Sequence, residues 1–337
     1  METPVRWGIM ATGTIAHSFA RDLALVPDAT LAAVGSRRLE SAKAFTAEFG
    51  GRAHGSYEDL VADPDVDVVY LATPHSLHLA GARLAFEAGK HVLCEKPLTL
   101  SVSEAEDMVA LARSHDRFLM EAMWTATHPT IRALRRRLAV GEFGAPRHLH
   151  AELGFLVRSD SPDRLLDPAL GASALLDMGI YPLTVAHLLF GEALSLRALA
   201  NTRAEPTGTF DLDIVMTGRY PDGVLATMAS SMTSWSSRAA AIATDRGRID
   251  LDDFHHPTRA VFTPIGGGSN DGTAPGTPVA IEPEEPVLGR GYGNEIAEVG
   301  RCLRAGLRES PLVPHAQTLA IMRQLDELRR QVGVVYS

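Results

Sequence analysis

Cysteine is scarce in this sequence. Only Cys94 and Cys302 occur among 337 residues, so there is no disulfide framework and a reducing compartment is expected. Positive charge is also in short supply. Lys and Arg total 32 against 41 Asp and Glu, for a net charge of -9. That balance argues against nucleic acid or an anionic membrane as a partner. No charged-then-apolar leader precedes Val5-Arg6-Trp7-Gly8-Ile9-Met10, and no apolar run reads as long enough to span a bilayer. These absences predict a cytoplasmic protein. Internal repeats are lacking too. What remains is an ordinary globular composition, 45% hydrophobic and 22% charged, in a chain too long for one compact domain of usual size.

The first third of the chain alternates strand and helix. Residues 5–10, Leu31–Gly35, Val66–Thr73, His91–Glu95 and Phe118–Ala122 read as buried strands. Helical patterns separate them, with a serine cap at Ser56 and a cap around Ser103-Glu104-Ala105-Glu106. This rhythm predicts a doubly wound parallel sheet. After Trp124 the pattern changes. A linking helix, Thr127–Val140, carries a basic face at Arg132, Arg135, Arg136 and Arg137, read as solvated. Longer alternating runs follow at Arg147–Phe155, Leu194–Asn201, Phe210–Tyr220, Val224–Trp235 and Arg238–Thr244, with a hairpin signal at Tyr220-Pro221-Asp222-Gly223. Few crossover helices separate them, so a largely antiparallel sheet is expected. One helix interrupts, Ala174–Phe190, and Gly266–Asn270 reads as a loop. Two more helices, roughly 294–307 and 316–332, end the chain. The fold class is therefore α/β: a nucleotide-binding domain over 1–123, then an α/β domain over 124–337 with a large open, mostly antiparallel sheet.

Between the first strand and first helix lies Ala11-Thr12-Gly13-Thr14-Ile15-Ala16. A strand, a tight turn of small residues and a helix place a pyrophosphate on a helix N-terminus. Gly13 and Ala16 fill the second and third positions of G-x-G-x-x-G/A, but Ala11 departs from glycine at the first. After the second strand, an NAD site would place Asp or Glu against the ribose. This chain has Ser36-Arg37-Arg38. A hydroxyl and two guanidinium groups suit the 2′-phosphate of NADP; the plain alternative is a solvated pair opening a helix. Thr73, Pro74, His75 and His78 follow the third long strand and fall on the cofactor side of such a sheet. The histidines could equally be capping or packing residues. Glu95-Lys96-Pro97 sits at the carboxyl end of another strand, the end that faces the ligand crevice.

The interrupting helix holds Leu176-Asp177-Met178-Gly179-Ile180-Tyr181. Asp177 and Tyr181 are four apart and so share a helix face. A surface pair or a packed tyrosine is the bland reading. Asp252, Asp253, His255 and His256 are metal ligands by residue type, but adjacent residues rarely converge on one ion. That stretch is read as a loop, with Phe254 and His255 lining a pocket.

With these segments in place the chain resembles the Gfo/Idh/MocA oxidoreductase family over nearly its whole length. The resemblance is carried by Arg6-Trp7-Gly8-Ile9 with Gly13 and Ala16, Thr73-Pro74 with His78, Ala88-Gly89-Lys90-His91-Val92-Leu93-Cys94-Glu95-Lys96-Pro97, and Leu176–Tyr181. Tyr181, where many members have histidine, and Phe118–Thr125 look like the subgroup of dimeric dihydrodiol dehydrogenases and NADP-dependent D-xylose 1-dehydrogenases. The resemblance implies a Rossmann domain and a second domain whose open sheet forms a homodimer face, with a small sugar, diol or dicarbonyl substrate. It implies Lys96 and Tyr181 as the catalytic pair with Asp177 in support, and Trp124 in the substrate pocket, to which Phe155 is added. The cofactor set is then Ala11, Thr12, Gly13, Thr14, Ile15, Ser36, Arg37, Arg38, Thr73, Pro74, His75, His78, Glu95 and Lys96; no metal is expected.

Oxidising an alcohol by hydride transfer requires removal of the hydroxyl proton. A tyrosine with an ordinary pKa near 10 is a poor base at neutral pH, and a nearby ammonium lowers that value. Tyr181 as proton acceptor with Lys96 tuning it is a chemically coherent pair; Lys96 as the proton-transferring group stays open, as does whether Asp177 orients Lys96 or binds a substrate hydroxyl. Two rivals remain: a lyase or glycosidase using nicotinamide transiently, and a non-catalytic NADP(H) sensor.

Overall fold

In the computed structural model, residues 3–158, 164–266 and 274–336 are described, and most of the expected loop at 266–270 lies outside them. The chain forms two compact units. One comprises the chain up to Thr127 with Val287–Met322, the other His128–Pro286 with the residues from Arg323 onward.

The first unit is built on a six-stranded, all-parallel sheet: β1 (Val5–Met10), β2 (Ala29–Gly35), β3 (Arg52–His54), β4 (Val68–Leu71), β5 (His91–Glu95) and β6 (Leu119–Ala122). Their order is β3-β2-β1-β4-β5-β6, so the winding direction reverses between β1 and β4, where such sheets bind ligands at their carboxyl edge. Helices α1 (Thr14–Leu23), α2 (Leu39–Phe49), α3 (Tyr57–Ala62), α4 (His78–Glu87), α5 (Val102–Ser114) and α6 (Trp124–Thr127) connect and follow the strands. All four residues of β4 are buried, as expected for a strand covered on both faces. The Phe19 and Tyr70 rings stack with centroids 3.7 Å apart.

Ser56 caps α3, accepting from the Asp59 N–H at 3.0 Å. The cap of α5 is Ser101, not the stretch beginning at Ser103: Ser101 Oγ accepts from the Glu104 N–H at 3.3 Å, while Glu104 accepts from the Leu100 N–H at 3.1 Å. This is the reciprocal logic of a capping box, shifted two residues upstream.

The second unit opens with α7 (Pro129–Ala139). Its nine strands are β7 (Pro146–Gly154), β8 (Ser195–Glu205), β9 (Gly208–Arg219), β10 (Leu225–Ser231), β11 (Ala240–Thr244), β12 (Gly247–Asp252), β13 (Arg259–Pro264), β14 (Val279–Ala280) and β15 (Val335–Tyr336). The order is β14-β13-β12-β11-β7-β10-β9-β15, with β8 also on β9. Every pair is antiparallel except β7 with β10. β12 and β13 are additions to the sequence reading, which had a loop at the junction of 252–256.

The arginines of α7 are not simply solvated. Arg132 and Arg136 pair with Glu285 and Glu284, and Arg137 meets Glu142 at 2.5 Å. The helix α8 (Ile180–Phe190) is preceded by a π-helical turn at Leu175–Gly179, where an uninterrupted helix was expected. Pro168–Phe190 has the length and apolarity of a membrane span, contrary to the expectation that no run approaches one, and 89% of its apolar window is buried in the protein. Helices α9 (Tyr292–Arg304) and α10 (His315–Val332) complete the chain; α9 and the first turns of α10 belong to the first unit.

Candidate functional site

The nucleotide end of the first unit begins at Ala11. Its φ is 83°, the left-handed region that glycine enters freely and alanine only at a cost of about 1–2 kcal/mol. The conformation is held by the Ala11 N–H donating to the Gly35 carbonyl at 2.9 Å. Ala11→Gly should therefore stabilise the fold by about 0.5–1 kcal/mol, less than the relieved strain because glycine gains freedom in the unfolded chain. Urea unfolding of both proteins measures this, and a variant less stable than the parent would show Ala11 to be unstrained.

Gly13 forms the N-cap of α1, without a side-chain hydrogen bond and with no acidic residue in the first turn. A Cβ added at Gly13 would meet nothing within 4 Å. Uncapped first-turn N–H groups beside open space are what a pyrophosphate needs. Ala16 is fully buried, where close helix–strand packing demands a small residue. At the carboxyl end of β2, Ser36 is buried and its Oγ accepts from the Arg38 N–H at 3.4 Å. Arg37 and Arg38 are exposed. These residues fit a dinucleotide carrying a 2′-phosphate.

The loops after β4 and β5 are tied together by His78, which is completely buried. Its Nε2 lies 2.9 Å from the Thr73 carbonyl, and its Nδ1 lies 3.1 Å from the Pro97 carbonyl and 3.2 Å from that of Leu98. Thr73 and His75 are buried, and His75 opens a single 3-10 turn just after Pro74. Of the two histidines, His78 thus spans the loops that flank the expected cofactor edge.

Glu95 is buried and accepts from the Tyr70 hydroxyl; its other oxygen accepts from the Lys96 N–H at 3.2 Å. Lys96 is half-buried, and its peptide bond to Pro97 is cis. Sequence reasoning missed Glu121. Buried at the end of β6, it accepts from the Leu98 N–H and from the Thr318 hydroxyl of α10, both at 3.0 Å. It thereby ties the loop that carries Lys96 to α10.

Burial pushes the Glu121 carboxyl up to about 7, against the opposing pull of Thr318, Leu98 and Lys96. The raised value means the folded state favours the protonated acid. That contribution is complete below the ordinary pKa near 4.5 and is lost as pH rises through about 7. Glu121→Gln, which keeps an acceptor for Leu98, should remove about 3 kcal/mol of this pH dependence. Chemical unfolding at pH 4.5 and pH 8 reads the difference; identical slopes in both proteins would show that Glu121 ionises normally.

In the second unit, Asp177 falls within the π turn and is buried, with Oδ1 accepting from Arg164 Nη1 at 3.2 Å. The turn is anchored from β9 by Asp211, which accepts from Ser173 Oγ at 2.5 Å and from the Leu175 N–H at 2.7 Å. π turns of this kind recur at functional sites. Tyr181, in the first turn of α8, is buried to 8% exposure. Its ring meets His255 edge-on at a centroid distance of 5.2 Å. His255 is the residue of the 252–256 stretch read as pocket-lining; Asp253 pairs instead with Arg238 at 2.9 Å. Among the described residues no three His, Cys, Asp or Glu side chains are grouped to hold a metal ion. Phe155, just past β7, is 41% exposed. Trp124, in the first unit, packs on Tyr292 with centroids 4.7 Å apart. Arg164 and Asp211 carry no sequence motif, so nothing in the primary structure marks them.

Two family models match the chain. One, described as an oxidoreductase family with an NAD-binding Rossmann fold, covers residues 5–123; the other, a GFO/IDH/MocA C-terminal domain, covers 131–250. Mouse (Mus musculus) trans-1,2-dihydrobenzene-1,2-diol dehydrogenase is 35% identical over 98% of both chains. The D-xylose 1-dehydrogenase (NADP(+)) of Hypocrea jecorina is 31% identical over 98% of this chain and 93% of its own. A 3-ketoreductase of Actinomadura kijaniata, solved with NADP and TDP-benzene, superposes with a TM-score of 0.85 at 26% identity, covering 98% of both chains.

Proposed function

The chain belongs to the Gfo/Idh/MocA oxidoreductase family, and we propose that it is an NADP-dependent dehydrogenase acting on a CH–OH group of a sugar or diol, or in reverse on the matching carbonyl. The observation that carries this reading is a shared edge. The uncapped α1 turn at Gly13, the Ser36-Arg37-Arg38 cluster and the clamped Lys96 loop all lie at the carboxyl ends of parallel strands of one sheet. When bound there, NADP supplies the hydride chemistry.

The chain's own residues then divide the remaining work. Ala11 to Ile15 hold the pyrophosphate, and Ser36, Arg37 and Arg38 hold the 2′-phosphate. Thr73, Pro74, His75 and Glu95 shape the nicotinamide end, with His78 fixing the loops that carry them. Tyr181 takes the hydroxyl proton and Lys96 stabilises the oxygen as it becomes an alkoxide. Asp177, held by Arg164, supports that chemistry, and Trp124 and Phe155 are assigned to substrate binding. The cofactor role belongs to residues 1–123 and the substrate role to 124–337.

The assembly is a homodimer through the second sheet. Leu199 and Val215 are cross-strand partners on β8 and β9, exposed at 76% and 54%, and Leu225 on β10 is likewise exposed. A second copy would cover that apolar face. The location is the cytoplasm, where the free thiols of Cys94 and Cys302 stay reduced. The partners include neither nucleic acid nor membrane.

A panel of D-xylose, other aldoses, trans-dihydrodiols and small dicarbonyls, assayed by NADPH absorbance, tests the activity. Stoichiometric NADPH formation from one sugar or diol is expected. Substrate cleavage or elimination without net NADPH change would replace this reading with transient nicotinamide chemistry, and cofactor binding without turnover across the panel would leave a sensor.

A further inference from the structure

The edge of the first sheet opposite the nucleotide loops carries a cavity of about 650 Å³, within the size range of small-molecule sites. It is bordered by the amino ends of β1 and β5, the residues just ahead of β4 and β6, and the last turn of α9. Its charged lining comprises Arg6, Lys90, Arg117 and Arg304 against one carboxylate, Asp67, with His91 beside them.

The single carboxylate is already committed. Arg6 donates to Asp67 through Nε at 3.0 Å and Nη2 at 2.7 Å. The acids around the rim are committed as well: Asp63 to Arg52 at 2.5 Å and His54 at 2.8 Å, Asp65 to Arg52 at 3.0 Å, Asp28 to Arg304 at 3.6 Å, and Asp116 to Arg308 at 2.7 Å. Among the described residues, two of these cations form no ion pair. Lys90 Nζ donates to the carbonyls of Asp63 and Val66, each at 2.8 Å, which satisfies two of its three protons, while Asp67 and Asp63 act on its charge only from a distance. Arg117 donates through Nη1 to the Asp116 carbonyl at 3.3 Å, and its Nε is buried without a hydrogen-bond partner.

His91 supplies a third donor. Its Nδ1 accepts from the Phe118 N–H at 2.9 Å, so the neutral ring carries its proton on Nε2. Burial, with Arg117 and Arg308 adding to it, pushes this imidazole down to about 4. Burial is the larger cause, and Asp67 and Asp116 pull the other way, so the ring stays a neutral donor among mixed charges.

We propose that this cavity is a second ligand site, taking a small molecule that bears a phosphate or carboxylate oxyanion between Arg117, Lys90 and His91. Arg117 presents a planar fork suited to either oxyanion. The site shares no residue with the nucleotide turn, so its occupant is a separate ligand.

Isothermal titration calorimetry tests it. Inorganic pyrophosphate and citrate are titrated separately into the full-length protein saturated with NADPH, which fills both the α1 turn and the Ser36-Arg37-Arg38 cluster, and then into the same protein with Arg117→Gln added. Saturable binding that weakens at least ~10-fold on adding Arg117→Gln is expected, the size of a lost charge-assisted hydrogen bond. Preference for one probe assigns phosphate or carboxylate. Proton uptake near pH 5 is expected too, since a bound anion raises the His91 pKa; buffers of different ionisation enthalpy reveal it. Arg117→Lys, which keeps the charge without the fork, guards against a folding defect, and thermal melts confirm each variant is folded. Absence of saturable binding by either probe, or binding indifferent to Arg117, overturns the proposal.

Discussion

Lys96→Met and Tyr181→Phe each lower turnover at least ~10²-fold while NADPH binding is retained. General acid–base groups contribute about 10²–10⁴, and both variants remove a proton-handling atom while keeping most of the side-chain volume. Methionine also removes the ammonium that would draw a phenol toward ionisation, so the Lys96 variant should shift its remaining pH optimum upward. Tyr181→Phe has no such titration to shift and should lose rate evenly across pH. Lys96 sits in a loop fixed by Glu95, His78 and Glu121, so its replacement should not disturb the nucleotide turn at Gly13. Stopped-flow NADPH fluorescence separates binding from chemistry. Near-normal turnover in Tyr181→Phe would remove the tyrosine from the mechanism and leave Lys96 as the proton-transferring group.

The second large effect concerns cofactor choice. Arg37→Gln with Arg38→Gln should lower kcat/KM for NADP by ~10² or more and leave NAD nearly unchanged. Each charge-assisted bond to a 2′-phosphate is worth about 1.5–3 kcal/mol, and NAD has no phosphate there to lose. Both side chains are exposed, so the fold should tolerate the change. Equal losses with NADP and NAD would show instead that the pair supports helix α2 and does not read the cofactor.

The parts of the molecule that the sequence displays are those written in contiguous residues. An apolar run, a small-residue turn and a capped helix lie side by side at Val5–Leu23, and the lysine loop follows directly on its strand. Elements that depend on distant partners were hidden. β3 is three residues long and holds Arg52 and His54, whose polar side chains mask a strand until Asp63 is seen to hold both. β12, Gly-Arg-Ile-Asp-Leu-Asp, alternates properly, but its acidic end drew attention to metal chemistry. The π turn at Leu175–Gly179 is held at its first residue by Asp211 of β9; no local periodicity announces it. Glu121 stands among apolar residues of β6 as the odd carboxylate, a visible signal whose meaning required Leu98 and Thr318. Arg164 could be assigned to Asp177 only in three dimensions.

The hydrogen bond between Thr318 and Glu121 spans 197 residues. In a chain still emerging from the ribosome, β1 through β6 have been made long before Thr318 exists. The clamp on the lysine loop closes only when nearly the whole protein has been made. Synthesis order thus puts Glu121 in the chain early and its Thr318 partner late, so a polypeptide cut short before α10 would leave Glu121 one hydrogen bond short.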